Sequence, residues 1–336
     1  MKQLLYIGNK LSKHGLNKTT IETLGIALEK EGYSLYYTSD KKHFLFRILA
    51  MVLTLFKVSR KVDFVIIDTY STNAFWYAFI CSQLARVLRI QYIPILHGGN
   101  LPVRLKKNPY LCQLVFQNAY KNVAPSTYLK VAFEKVGYTN VIHIPNAIEI
   151  ENYTFTERTT FKPNLLWVRA FASIYNPLMA VEVLFELQKK YPEASLTMVG
   201  PDKDGSLALT IQKAKELGVT ITFTGQLTKE EWWQLAKNHA VFINTTHFDN
   251  APVSVMEAMA LGLLVVSTNV GGIPYLLKDT ENAFLVNDND AEEMVKVTDK
   301  CSENPIESSL LTKSARASIE NYDWQIVKTK WIALLQ

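Results

Sequence analysis

Two carboxylates eight positions apart, Asp249 and Glu257, bracket the most distinctive stretch of the chain, His247–Gly262 (HFDNAPVSVMEAMALG), which runs on into LLVVSTNVGGIP. A strand reading VFINTT leads into a turn at Phe248, Asp249 and Asn250. Pro252 suits the first turn of a helix, where a missing N–H removes no hydrogen bond. The helix predicted over Val253–Leu261 is ended by Gly262. Its start offers unpaired amides and a partial positive charge, which together favour phosphate. Glu257 sits about one turn further in, where its carboxylate can accept two hydrogen bonds from vicinal hydroxyls such as those of a ribose.

The elements that must position these groups alternate between strand and helix. Predicted strands are Leu4–Ile7, Ser34–Thr38, Asp63–Asp68, Tyr92–Leu96 and Val141–Ile144, then Leu165–Arg169, Ser195–Val199, Thr220–Thr224, Val241–Asn244, Leu264–Ser267 and Phe284–Val286. Near-continuous apolar strands separated by amphipathic helices imply parallel sheets covered on both faces. A length of 336 residues suits about two domains. We expect a Rossmann-like domain over 1–150, a linker over 151–163, and a second Rossmann-like domain over 164–305. Helices over 306–336 are expected to pack back on the first domain. In open α/β sheets ligands bind beyond the carboxyl ends of the strands, so a cleft between the domains is the expected site.

With the elements placed, the segment resembles the signature of the retaining GT-B glycosyltransferases, family 4 (glycosyl transferases group 1). That signature has two acids eight positions apart, then A-M-A-x-G and V-G-G-I-P. The resemblance implies an α/β GT-B fold: two doubly wound Rossmann-like parallel-sheet domains with an inter-domain cleft. It implies that Asp249, one methylene shorter than the usual glutamate, contacts the donor sugar, and that Glu257 contacts the nucleotide ribose. The amides between them would hold the diphosphate, which implicates Asn250, Ala251, Val253 and Ser254. Trp167-Val168-Arg169 is similar to the family's G-R segment, whose arginine pairs with the diphosphate, and a guanidinium fork matches two phosphate oxygens. The lysine that normally follows is missing from Ser173-Ile174-Tyr175-Asn176-Pro177; Asn176 is the nearest polar substitute. His97, in Leu96-His97-Gly98-Gly99, falls where the family places a histidine beside the donor sugar. Gly8–Gly15 matches a glycine-containing loop, with Gly15 assigned to the donor, and Lys10, Lys13 and His14 adding positive charge. Gly200, Gln226 and Leu227 lie in strand-end turns that border the nucleotide base in the family. The implied catalytic residues are therefore His97, Arg169 and Asp249.

No cofactor or metal is expected. Asp288-Asn289-Asp290 imitates a metal-binding acidic triplet but reads better as a helix cap. No histidines show ligand spacing, and Cys81, Cys112 and Cys301 read as reduced thiols. No G-x-G-x-x-G fingerprint supports a dinucleotide cofactor.

Charge is unevenly spread. Residues 1–160 hold 20 Lys and Arg against 10 Asp and Glu, leaving 16 against 21 of the chain's 36 basic and 31 acidic residues. The basic half could meet a membrane surface, a phosphorylated lipid or a nucleic acid, or simply serve solubility. Aromatics embedded in apolar segments argue against nucleic acid, which needs a stacking platform between basic residues. Lys41–Lys61 (KKHFLFRILAMVLTLFKVSRK) is apolar with basic ends and too short to span; it suits either a position at an anionic membrane surface or a core helix of the first domain whose basic ends are solvated. With no secretory signal and no spanning segment read, the expected location is cytoplasmic, peripheral on the inner face of the membrane. The partners expected are a nucleotide-sugar donor and a saccharide or lipid-linked acceptor, in polysaccharide or glycolipid synthesis. Alternatives are a GT-B-like nucleotide-sugar epimerase or phosphorylase, and a catalytically weak partner subunit that binds donor without turnover.

Overall fold

The computed structural model describes residues 2–14 and 19–336. They form two compact units, residues 1–145 with 328–336, and residues 146–327. Gly15, assigned above to the donor, lies outside the described residues.

The first unit holds a six-stranded sheet: β1 (Gln3–Ile7), β2 (Ser34–Thr38), β3 (Phe64–Thr69), β4 (Gln91–Leu96), β5 (Asn122–Ala124) and β6 (Val141–His143). All pairings are parallel, in the order β2-β1-β3-β4-β5-β6. The order in which strands are added reverses between β1 and β3, the switch point at which such sheets bind ligands. Strand β3 is buried along its whole length, as a central parallel strand covered on both faces should be.

The second unit repeats the architecture with β7 (Asn164–Val168), β8 (Ser195–Val199), β9 (Thr222–Gly225), β10 (Val241–Asn244), β11 (Leu264–Thr268) and β12 (Phe284–Val286). Its order, β12-β11-β10-β7-β8-β9, places the switch point between β7 and β10. Leu165, Trp167, Ile243 and Val266 pack under one set of helices, and Leu166, Phe242 and Val265 under the other.

The domain boundaries differ from those expected. Residues 151–163 are packed into the second unit. Tyr153 and Phe161 are buried. Arg158 donates to the carbonyls of His239, Thr156, Leu261, Gly262 and Ala236 at 2.6–3.0 Å. Burial with no acidic partner pushes this guanidinium down to about 10. A segment whose polar residues bind backbone carbonyls carries no apolar periodicity, which is why it reads as a linker. The helix Pro305–Glu320 also stays with the second unit, where Ala315 and Ile319 join the core. Only residues 328–336 return to the first. No helix among the described residues is long and apolar enough to cross a membrane.

Candidate functional site

The switch point of the second unit gathers most of the residues singled out by the sequence. Arg169 is the first residue past β7, and its amide bonds the Val199 carbonyl at 3.0 Å. The turn after β10 is pinned from below. Trp167 Nε1 donates to Thr245 Oγ1, which donates in turn to the carbonyls of Tyr175 and Asn176. Thr268 Oγ1 donates to the Thr246 carbonyl at 2.6 Å. With both neighbours fixed, Asp249 meets Arg169: Oδ2 lies 2.6 Å from Nη2, both side chains mostly sheltered from solvent. Arg169 also lies 5.1 Å from the ring of Tyr175, and its Nε is buried without a partner. The two groups expected to serve a diphosphate and a sugar are thus brought together on adjacent strand ends.

The helix Val253–Ala260 follows, with Pro252 in extended conformation at its cap. The Pro252 carbonyl accepts from Val255 and Met256. The amides of Val253 and Ser254 have no carbonyl one turn back, and Ser254 Oγ is a buried hydroxyl without a partner. Asn250 is buried, and its amide bonds Asp249 Oδ1 at 2.7 Å. The glycine pair explains the turn's shape. The Gly272 amide bonds the Asp249 carbonyl at 2.8 Å, and a Cβ on Gly272 would stand 1.8 Å from the Asn250 carbonyl oxygen. Gly200 is constrained likewise: at φ +149°, a Cβ would come within 1.8 Å of the Arg169 carbonyl oxygen. The glycines therefore permit the close approach that sets Arg169 and Asn250 in place.

Glu257 is only 3% exposed. Its Oε1 accepts from Tyr153 Oη at 2.8 Å and from Lys229 Nζ at 2.7 Å. Burial, and then the Glu257 charge, raise the Tyr153 phenol well above its usual range, so it stays a donor. Sequence reasoning did not find Tyr153 or Lys229. Gln226 is exposed and Leu227 half-buried just past β9, two residues before Lys229. Asn176, expected to stand in for the missing lysine, instead caps the helix Pro177–Gln188, accepting from the Met179 amide and donating to Asn289 Oδ1. In the acidic triplet, Asp288 bonds His247 Nδ1 and Asp290 caps the next helix through the Glu293 amide. No cluster of acidic, His and Cys residues suited to a metal occurs among the described residues.

In the first unit, His97 follows β4 with its side chain 9% exposed, and Nε2 lies 2.8 Å from Asp68 Oδ1. Asp68, fully buried near the end of β3, also accepts from Tyr6 Oη at 3.0 Å. The Tyr70 ring lies 5.3 Å from the imidazole. Burial first, and the Asp68 charge second, push the Tyr6 and Tyr70 phenols upward, which keeps both neutral. The imidazole is thus oriented by a carboxylate, which fixes the ring plane and favours the proton on Nε2. Asp68 ends an apolar strand, DFVIID, a signal the sequence offered without a partner to give it meaning. Lys13 pairs with Asp40, and Lys10 lies over the Tyr37 ring at 4.1 Å.

Residues 155–318 match the family model of glycosyl transferases group 1. The sulfoquinovosyl transferase SQD2 of Arabidopsis thaliana is 30% identical over 154 residues, 45% of this chain and 29% of that protein. The chain spans less than half the length of the curated relatives that it matches. Among solved structures, a sucrose-phosphate synthase from Thermosynechococcus elongatus superimposes with a TM-score of 0.83 at 14% identity, over 99% of this chain and 98% of that one. Anabaena Alr3699/HepE in complex with UDP-glucose gives 0.79 at 16% identity, over 100% and 99%. At these identities the likeness is one of fold, and the fold is GT-B.

Proposed function

We propose that this chain, which belongs to the glycosyl transferases group 1 through residues 155–318, moves a sugar from a nucleoside-diphosphate donor to a saccharide or lipid-linked acceptor, with retention at the anomeric carbon. The observation that carries this reading is the Arg169–Asp249 pair at the β7/β10 switch point, beside the free amides of a helix start. The UDP-glucose held by the Anabaena protein of the same fold supports a nucleotide-sugar donor.

In this reading Arg169, with the Val253 and Ser254 amides, stabilises the charge that builds on the departing diphosphate. Glu257, held by Tyr153 and Lys229, takes the ribose hydroxyls. Asp249 and His97 are assigned to sugar hydroxyls. The bond from the anomeric carbon to the phosphate oxygen breaks while the acceptor hydroxyl adds on the same face. The hydroxyl proton passes to the departing oxygen. We assign no metal to the reaction, since Asp288 and Asp290 are engaged elsewhere, and we place the enzyme on the cytoplasmic side. A second reading, donor binding without turnover, draws on the missing lysine and on Asn176's use as a cap.

The test is a thermal-shift screen with UDP-, GDP- and ADP-sugars, since a ligand that binds only the folded state raises the melting temperature. Donor hydrolysis or transfer is then followed by NMR with and without a chelator. A shift with one donor, an anomer matching the donor's and indifference to chelation are expected. A melting temperature unmoved by every donor would overturn the proposal, and binding with no hydrolysis or transfer would select the second reading.

A further inference from the structure

The helix Phe44–Val58 fully buries only Met51, Leu55 and Val58. Leu45, Phe46, Leu49, Leu53 and Phe56 are 66%, 64%, 53%, 58% and 52% exposed. Residues 45, 49, 53 and 56 follow one another at steps of four and three, so they share a face. Single exposed apolar side chains are ordinary, but five large ones on one helix make a patch that calls for a partner.

Cations border this patch at both ends. Lys41 and Lys42 precede the helix, and Lys57, Arg60 and Lys61 close it, all exposed. No acidic residue falls between Asp40 and Asp63. A shallow, open hollow of about 370 Å³ lies on the same face. Lys41 and Lys42 line it together with Phe46, Leu49, Ala50 and Leu53. An apolar surface with lysines beside it suits an amphiphile with an anionic head.

We infer that this face docks on a bilayer containing anionic phospholipid. The helix lies in the headgroup layer, with Leu45, Leu49, Leu53 and Phe56 toward the acyl chains and the flanking cations at the phosphates. Charge complementarity selects this occupant. A second copy of the chain would set the same cations against each other, whereas anionic headgroups match them at both ends of the patch.

The test is sedimentation with vesicles of neutral phosphatidylcholine alone and of phosphatidylcholine with phosphatidylglycerol. It needs neither donor nor acceptor, so its outcome is separate from that of the transfer reaction. The parent chain should bind the anionic vesicles at least about ten-fold more tightly, and added salt should weaken that binding. Leu49→Glu with Leu53→Glu should abolish sedimentation while circular dichroism stays unchanged, because both positions are exposed. Lys41→Gln, Lys42→Gln and Lys61→Gln together should remove the preference for anionic lipid. Equal binding to both vesicle types, or full binding by the Leu49→Glu, Leu53→Glu variant, would overturn the inference. So would a parent chain that ignores vesicles and forms a dimer broken by the same variant, which would give the face to a second copy.

Discussion

Arg169 and Asp249, 80 residues apart in sequence, meet through Nη2 and Oδ2 at 2.6 Å on the ends of neighbouring strands. The pair is mostly sheltered, and Arg169 keeps a buried Nε without a partner. An arginine held by a single carboxylate oxygen retains donors for a second anion. Arg169→Ala should therefore lower kcat about 10²-fold or more with a smaller change in donor affinity. Steady-state kinetics with the donor found by thermal shift measures both. A normal rate would remove Arg169 from the departing diphosphate.

Glu257→Ala should weaken donor binding about 10- to 100-fold, the scale of one or two hydrogen bonds to a charged acceptor. Isothermal titration with the nucleoside diphosphate alone is the suitable readout, because the ribose contact needs no sugar. Tyr153→Phe removes one donor from the same carboxylate and should cost about 1–2 kcal/mol of stability. Unchanged affinity in Glu257→Ala would reject the ribose assignment.

Gly272→Ala places a methyl group where the Asn250 carbonyl already sits. The turn after β10 must move, at a cost on the order of 3 kcal/mol. A fall in melting temperature of roughly 6–12 °C is expected for a domain of this size, together with loss of donor stabilisation. A variant that melts and binds like the parent would show that the glycine pair does not set the turn.

His143, at the end of β6, has its pKa pushed down to about 4, by burial first and then by Lys330 and Lys130. In the unfolded chain it should titrate near the usual value of about 6.5. Between those values the unfolded state binds more protons, so stability falls as pH drops from about 6.5 toward 4. Chemical denaturation at several pH values should show this slope, and His143→Gln should flatten it. An identical slope in the variant would place the acid sensitivity elsewhere.

Strand periodicity and strand-end residues made the second unit legible, because β7 and β10 are apolar but for one terminal residue and β11 opens on three apolar residues. The turn after β10 was legible for a related reason: the proline and paired glycines answer local backbone demands, and the acids stand at the spacing of the resembled signature. Strand β5 was missed because three residues, Asn122–Ala124, carry too little pattern. Tyr153 and Lys229 were missed because each reaches Glu257 across the fold, over 104 and 28 residues. Asp68 was visible as a residue but its pairing with His97 was not, since a strand-end acid announces no partner. The segment 151–163 misled because Arg158 binds carbonyls, and carbonyls leave no trace in side-chain pattern.

The late return of residues 328–336 to the first unit bears on how the chain is made. Trp331 and Leu335 are buried there. All six strands of that sheet emerge from the ribosome before the second unit, yet residues 328–336, which belong to the same unit, follow the second unit in the chain. The second unit, contiguous over 146–327, has its whole sequence available earlier and can mature first. Nascent chains stalled before Lys328 should accordingly protect the later-synthesised half from protease while leaving the earlier half open to cleavage, the reverse of the usual amino-to-carboxyl order.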